Sequence, residues 1–152
     1  MKIKNTTYSP KTVSGFTLLE VMVVLVILGI IASLVVPNLL GETESAKLKK
    51  AAIDVQNIEN VLKMYKLKNG FYPSTEQGLE ALVEKSEVEP VPRNFPAEGF
   101  ISRLPKDPWN NDYQLLSPGE MGVIDIFSMG ADGQAGTDDD IGNWNLDEVL
   151  GN

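Results

Sequence analysis

The longest pattern in the chain is an apolar run that passes into an amphipathic one. No charged side chain occurs from Val21 through Gly41. At about 1.5 Å of rise per residue, a helix of that length spans roughly 30 Å, the thickness of the hydrocarbon core of a bilayer. Beyond it, apolar residues recur every three or four positions, at Leu48, Ala51, Val55, Ile58, Leu62 and Tyr65. The pattern predicts one long helix from Phe16 to about Lys68, half in lipid and half packed on a globular head.

Two positions punctuate this predicted helix. Pro37 lacks a backbone donor, which predicts a kink or local melting between Val36 and Gly41. The pair Asn69-Gly70 is a typical stop signal, because glycine readily adopts the left-handed conformation that ends helices.

Shorter patterns follow. The run Ser74-Thr75-Glu76-Gln77 resembles a capping box, with Ser74 as N-cap, and Leu79, Leu82 and Val83 then indicate a short second helix. Residues 87–108 include five prolines and predict an extended surface loop without clear chemistry.

Two β-prone runs, 113–116 and 123–128, flank a Pro-Gly turn and predict an antiparallel hairpin. Ile124, Ile126 and Ser128 alternate with the residues between them, so one face of this strand is expected to pack on the long helix. The predicted fold class is α+β, a long N-terminal helix on a small head.

Composition restricts the function. The 13 basic and 21 acidic residues give a net charge of −8, which becomes −11 if the three lysines before Gly15 are removed. This balance argues against nucleic acid, whose binding proteins present basic patches. The absence of Cys and His excludes disulfides and most nucleophile–base catalysis, and it makes zinc or copper sites improbable.

A single carboxylate, Glu20, lies at the start of the apolar run, where a charge is costly without a partner. The segment before Phe16 contains only basic charges, which predicts a cytoplasmic N-terminus and an exported head. Cleavage between Gly15 and Phe16 would free an ammonium four residues from Glu20. The partner of Glu20 is then this ammonium or that of a neighbouring subunit. At 4 Å the attraction is about 4 kcal/mol before desolvation, which favours lateral assembly.

A second acidic feature follows the last predicted strand. Asp132 is followed by three consecutive aspartates at 138–140, and glycines at 130, 133 and 136 allow the backbone to fold back. Carboxylates brought together in this way suit Ca²⁺ better than Mg²⁺, because Ca²⁺ accepts six to eight oxygens in flexible geometry. The spacing is not that of an EF-hand, and a solvated acidic turn is the alternative.

The N-terminal run Gly15-Phe16-Thr17-Leu18-Leu19-Glu20, behind a short basic leader, resembles the type IV pilin and pseudopilin signal. In that family a prepilin peptidase cleaves after the Gly and methylates the new Phe nitrogen, and the Glu guides subunits into a filament. The resemblance implies cleavage at Gly15/Phe16, an N-methylated Phe16 and an assembly role for Glu20. An ordinary signal peptide or a plain anchor are the alternatives. However, the apolar run exceeds the usual length of about 7–15 residues and lacks an A-x-A-like site near Ala32-Ser33.

Five further segments, between Leu104 and Trp144, resemble the major pseudopilin of the type II secretion system, the general secretion pathway protein G family. They are 104–109, 113–115, 125–128, 130–133 and 140–144. The resemblance implies a pilin-like fold with a structural Ca²⁺ in the acidic loop. Its implied ligands are the carboxylates of Asp132, Asp139 and Asp140, the main-chain carbonyl of Met129 and, as a weaker candidate, Ser128. Asp138 falls where the family varies.

The implied function is that of the major structural subunit of a periplasmic filament, a homopolymer that drives folded proteins across the outer membrane. The implied organisation is a leader at 1–15, a transmembrane and assembly helix at 16–40 and a periplasmic head at 41–152, with a single pass through the bacterial inner membrane. Implied partners are the prepilin peptidase, minor pseudopilins and an inner-membrane platform with a cytoplasmic ATPase.

Three other functions fit the sequence less well. A type IV pilin or DNA-uptake pseudopilin conflicts with the missing Cys pair and the acidic loop. A calcium-dependent hydrolase would use Asp132 and Asp139 as acid and base, but a short loop on a small head offers little cleft. A calcium sensor would need a groove that opens and closes with calcium, and nothing in the sequence indicates one. The sequence therefore predicts that the chain is not an enzyme. It contains no phosphate-binding loop, so it is not expected to be the ATPase that powers secretion.

Overall fold

The computed structural model describes residues 15–151, except for the side chains of 32–42. The chain divides into two compact units, Met1–Gly41 and Glu42–Asn152. The predicted leader lies outside the described residues apart from Gly15, so its removal stays a prediction.

Helix α1 extends from Leu18 to Asn69, 52 residues without interruption. Its first turn is capped by the Thr17 hydroxyl, which accepts a hydrogen bond from the Glu20 N–H at 3.2 Å. It ends where the sequence predicted, and Gly70 follows at φ +88°. The predicted local melting around Pro37 is wrong, because a proline removes one backbone bond and the remaining turns continue the helix.

The N-terminal part of α1 exposes mainly apolar side chains. Side chains from Phe16 to Ile31 are exposed, with Phe16 at 84%. Over the ranges whose side chains are described, no helix reaches the length and apolarity that a membrane crossing requires. The segment predicted to cross, 16–40, includes residues 32–40, whose side chains lie outside those ranges.

The C-terminal half of α1 supplies the core of the second unit. The predicted stripe is confirmed for Ala51, Val55, Ile58, Leu62 and Tyr65, which are all buried. The first predicted member, Leu48, is instead 37% exposed, because the residues that cover the stripe begin to do so at Ala51 and Ala52.

The capping box after α1 is confirmed by two reciprocal hydrogen bonds. The Ser74 N–H donates to Gln77 Oε1 at 3.0 Å, and the Gln77 N–H donates to Ser74 Oγ at 3.2 Å. The predicted second helix is shorter than expected, a single 3₁₀ turn over Leu79–Leu82 with Gly78 as its N-cap. Gly78 adopts φ +64°, which separates the capping box from the turn.

The proline-rich segment 87–108 is irregular, as predicted, but it is not merely a surface loop. Pro92 is fully buried, and the Phe100 N–H donates to the Leu82 carbonyl at 2.8 Å. The Phe100 ring lies 5.1 Å from that of Tyr65. The proline-rich segment therefore packs against the core through Pro92 and Phe100.

Three antiparallel strands form the sheet, in the order β1 (Gln114–Leu116), β2 (Asp125–Ser128) and β3 (Ile141–Gly142). The β1–β2 hairpin confirms the prediction. The expected packing of one face of β2 on α1 is confirmed, and the other face is buried as well, so that all four residues of the strand are buried. Ile126 packs in the core with α1, whereas Phe127 on the other face contacts Trp144 at 5.7 Å between ring centroids.

The sequence did not predict β3 or the short helix α2 (Leu146–Leu150). Leu146, Val149 and Leu150 of α2 pack against a small cluster formed by Ala51, Ala52 and Ile141. The C-terminal helix α2 thus packs against the N-terminal end of the buried stripe of α1.

The β1–β2 turn is organised by a buried carboxylate. Asp125, 2% exposed, accepts hydrogen bonds from the N–H groups of Glu120, Met121 and Gly122 at 2.6, 2.8 and 2.9 Å. A Cβ at Gly119 would collide with the same carboxylate. Three oriented amides therefore stabilise a charge that no basic side chain neutralises within the described residues.

We predict that Leu62→Ala lowers the free energy of unfolding of a 42–152 fragment by about 2–5 kcal/mol, because it leaves a cavity in the core. Urea denaturation measures the change. The matched control is Leu67→Ala at a position that is 86% exposed, where less than about 0.5 kcal/mol is expected. Equal losses in the two variants would contradict the assigned core.

Tyr113 provides a test by pH. Its hydroxyl donates to Asp54 Oδ2 at 2.9 Å, and burial, followed by this hydrogen bond, raises the pKa of the phenol above its usual value. The unfolded chain therefore loses this proton first, above about pH 10, and stability should fall there by up to about 1.4 kcal/mol per pH unit.

In the same urea assay, Tyr113→Phe should cost about 1 kcal/mol at neutral pH and reduce the alkaline slope. Tyr72→Phe, which keeps the ring that lies under the Lys66 ammonium, is the control. An unchanged slope in Tyr113→Phe would show that another group causes the alkaline loss.

Candidate functional site

Two predicted sites can be located in the structure, one in each unit. The first is Glu20, in the first turn of α1. Its carboxylate is exposed, borders a shallow groove with the apolar side chains of Phe16, Val21 and Val24, and forms no ion pair within the described residues. A lone acid on an apolar helix surface is the arrangement that the sequence predicted. Cleavage, methylation and the assembly role of Glu20 remain predictions.

The second site is the acidic loop, residues 129–140, which connects β2 to β3. Its three glycines all adopt the left-handed region, with φ of +62° at Gly130, +67° at Gly133 and +87° at Gly136. A Cβ at Gly130 would also overlap the carboxylate and carbonyl of Asp139. The glycines therefore let the loop fold back on itself, as predicted.

Asp139 lies at the centre of this loop. Its Oδ2 accepts the N–H groups of Ala131 and Asp132 at 2.7 and 3.1 Å, and its Oδ1 accepts the Thr137 hydroxyl at 2.7 Å. The Thr137 hydrogen bond, followed by that from the Asp132 N–H, lowers the pKa of this carboxyl. Asp139 is thereby kept ionised and oriented.

Asp132 and Asp139 are brought together by a residue that the sequence reasoning missed. Asp132 Oδ1 accepts the Gln134 N–H at 2.8 Å and lies 3.4 Å from Thr137 Oγ1. The Thr137 hydroxyl therefore lies between the two carboxylates. The sequence signal for Thr137 is its hydroxyl side chain directly before the three consecutive aspartates at 138–140.

Asp140 differs from the other two acids because it is only 8% exposed. Its Oδ2 accepts the Gly136 N–H at 2.7 Å, whereas its Oδ1 has no hydrogen-bond partner within the described residues. A buried oxygen of this kind costs about 1–3 kcal/mol or more when charged, unless a donor or a cation meets it. This oxygen is the strongest local indication that the loop accommodates a cation.

The two remaining predicted ligands lie at the start of the loop. Met129 is half-buried directly after β2. The fully buried Ser128 hydroxyl donates to Asp107 Oδ2 at 2.6 Å and accepts the Gly130 N–H at 3.2 Å. Asp107 also accepts the N–H groups of Trp109 and Asn111, so this carboxylate, which the sequence reasoning missed, connects the proline-rich segment to β2.

The donor set fits a hard cation chemically, since all the assigned ligand atoms are carboxylate, carbonyl or hydroxyl oxygens. The geometry fits in part. Asp132 and Asp139 adjoin one hydroxyl and Asp140 has a free oxygen, but no group of three acidic side chains converges within the described residues. Asp132 is exposed and Asp139 is half-buried, and hydrogen bonds within the short loop engage both carboxylates, which gives little support to a hydrolase.

Comparison with known families identifies two matches along the chain. The model for type II secretion system protein G matches residues 38–144, and the model for the prokaryotic N-terminal methylation motif matches residues 10–36. The first covers more than half of the chain, and the second covers Gly15, Phe16 and Glu20.

Individual relatives agree. The type II secretion system core protein G of Pectobacterium carotovorum subsp. carotovorum is 65% identical over 134 residues, covering 88% of this chain and 86% of that protein. Its counterpart in Aeromonas hydrophila is 67% identical over 133 residues, covering 88% and 93%.

Among solved structures, the major pseudopilin from the type 2 secretion system of enterohaemorrhagic Escherichia coli matches with a TM-score of 0.68. It shows 55% sequence identity over 74% of this chain and 94% of that chain. This similarity confirms the predicted pilin-like α+β architecture. The chain belongs to the type II secretion system protein G family.

Proposed function

We propose that this chain is the major structural subunit of a type II secretion pseudopilus, anchored in the inner membrane by residues 16–40 and carrying a periplasmic head. The observation that carries this proposal is an exposed apolar helix with one acid, Glu20, that adjoins Phe16 and forms no ion pair within the described residues. Such a surface is stable in lipid and against other helices, and its lone charge requires a cation there.

The processing that we propose supplies this cation. Prepilin peptidase cleaves between Gly15 and Phe16 and methylates the new nitrogen, which remains positively charged as a secondary amine. Glu20 of one subunit then pairs with the Phe16 ammonium of a neighbour, so that every added copy neutralises a charge in the membrane. The resulting homopolymer grows from the inner-membrane platform, whose cytoplasmic ATPase provides the energy, and it carries minor pseudopilins.

In this function the head is a building block and not a catalyst. The chain contains neither His nor Cys, which excludes the most common nucleophile–base pairs. The carboxylates of Asp132, which is exposed, and Asp139, which is half-buried, are held by hydrogen bonds within their own loop. We therefore expect no enzymatic activity.

We further propose that the acidic loop holds a structural Ca²⁺ through the carboxylates of Asp132, Asp139 and Asp140 and the carbonyl of Met129. The free Oδ1 of Asp140 supports this assignment, and Ser128 is a weaker ligand candidate because its hydroxyl is engaged by Asp107. The cation would supply positive charge that screens the three carboxylates from one another. It would tie the chain after β2 to β3, where a cysteine-free head has no disulfide.

Removal of calcium should therefore destabilise the head. For a site with Kd near 10⁻⁴ M, 10 mM Ca²⁺ should contribute about 2.7 kcal/mol, so excess chelator should lower the melting temperature of the 42–152 fragment by several degrees. Asp132→Ala should abolish most of this calcium-dependent difference in thermal unfolding.

The matched control is Asp138→Ala, because Asp138 is an exposed member of the same run and is not assigned as a ligand. Superimposable melting curves with calcium and with chelator would disprove the metal site.

For assembly, we predict that Glu20→Gln abolishes filament formation and secretion in cells that lack the native subunit, whereas Glu20→Asp retains part of both. The Gln side chain is close in shape but cannot neutralise an ammonium. Filament formation is measured by crosslinking and secretion by the exoprotein recovered outside the cell.

The unmodified chain is the positive control for the same cells. Failure of this chain to restore secretion would contradict the proposed function, and abundant long surface fibres in electron micrographs would favour a type IV pilin instead. Normal assembly of Glu20→Gln would contradict only the ion pair.

A further inference from the structure

The face of the sheet that points away from α1 carries a groove of about 710 Å³. We call it the acidic groove, and the side chains that define it are Glu120, Met121, Asp138, Asp140, Trp144 and Glu148. It lies between the β1–β2 turn, the acidic loop and α2. Of these side chains, the proposed function uses only Asp140, as a calcium ligand.

The groove has a fixed aromatic wall. Trp144 is 37% exposed, and its ring packs against Phe127 and directly over the backbone of Gly142, where any Cβ would collide with it. The Met121 side chain, 67% exposed, projects from a turn whose backbone is held by Asp125. The apolar surface is therefore presented by rigid parts of the head.

The charges that line the groove all have one sign. Glu120, Asp138 and Glu148 are exposed, and no Lys or Arg is among the lining residues. Asp140 closes the floor, more than nine-tenths buried and with an oxygen that lacks a partner within the described residues. None of these acids forms an ion pair in that part of the chain.

An aromatic face ringed by carboxylates favours a cationic side chain, and a planar guanidinium more than an ammonium, because it can stack on the ring and donate in parallel to a carboxylate. We propose that the acidic groove receives Arg103 from a neighbouring copy of this chain, a contact that rests on the proposed polymer.

Arg103 is the matching group for two reasons. It is an exposed arginine that forms no ion pair within the described residues, a property it shares with Arg93, whereas Lys47, Lys50, Lys63 and Lys106 are paired with acids and Lys66 and Lys68 lie over aromatic rings. Arg103 also borders the surface of α1 at Asn57 and Val61, whereas the groove lies beyond the sheet.

Donor and acceptor surfaces on different sides of one subunit cannot close into a two-fold dimer through this contact. Such a contact is heterologous, and its repetition generates an open filament. The acidic groove of one head and Arg103 of the next head thus form a contact between neighbouring subunits that is independent of the pairing at Glu20.

Cysteine crosslinking tests the contact directly, because the chain contains no Cys. In full-length protein assembled in membranes with calcium present, Glu148→Cys combined with Arg103→Cys should give a ladder of disulfide-linked oligomers. Each single variant should give dimers at most. Glu148→Cys combined with Arg93→Cys, which uses another exposed and unpaired arginine, is the matched control and should give no ladder.

The aromatic wall is tested in the same background. Trp144→Ala should reduce the yield of the ladder about fivefold, and Trp144→Phe should restore most of it, which separates loss of the ring from loss of folding. Charge reversal provides a second measurement: Glu148→Lys and Arg103→Glu should each reduce filament yield, and the double variant should recover it.

The outcomes are distinguishable. Filaments that form normally but give no ladder with Arg103→Cys overturn the contact and leave the proposed function intact. A ladder with Arg93→Cys instead also overturns the assignment. Absence of filaments from the unmodified chain overturns the proposed function and, with it, this contact.

Discussion

The head depends on the burial of one face of α1. Val55 and Leu62 are completely buried, and burial of a leucine or valine side chain contributes roughly 1.5–3 kcal/mol. Every other regular element is too short to be stable alone, since the strands have three, four and two residues and α2 has five. These segments acquire their structure by covering the buried face of α1, so the helix determines where the hairpin, the acidic loop and the acidic groove lie.

Carboxylates take over a second structural task, because the chain has no disulfides. Asp107, Asp125 and Asp139 each accept hydrogen bonds from two or more backbone N–H groups and thereby fix three irregular segments. Charge-assisted bonds of this kind are stronger than neutral ones. The acidic composition is therefore partly structural, since carboxylates of the acidic loop accept hydrogen bonds from its own backbone although residues 131–136 are exposed.

Much of this fold could be predicted from local sequence. The stripe of α1, its stop at Asn69, the capping box and the β1–β2 hairpin all carry periodic or turn signals. The two-residue β3 and the five-residue α2 do not, because their formation depends on Ala51 and Ala52, roughly ninety residues earlier. In the site, the acids were predictable from composition and Thr137 from its place directly before three aspartates, but Asp107 acts through a contact with Ser128, 21 positions away, that no local spacing reveals.

Assembly of such a chain must overcome repulsion between copies. Removal of the leader lysines would leave a net charge of −11, and at physiological ionic strength such charges act over about 8 Å. Neighbouring subunits can therefore approach only where local cations offset the acids. The new amine at Phe16, a divalent ion in the acidic loop and an arginine in the adjoining acidic groove would each supply such a cation. Neutralisation by distinct groups would make each contact directional, which a general hydrophobic association of α1 helices could not achieve.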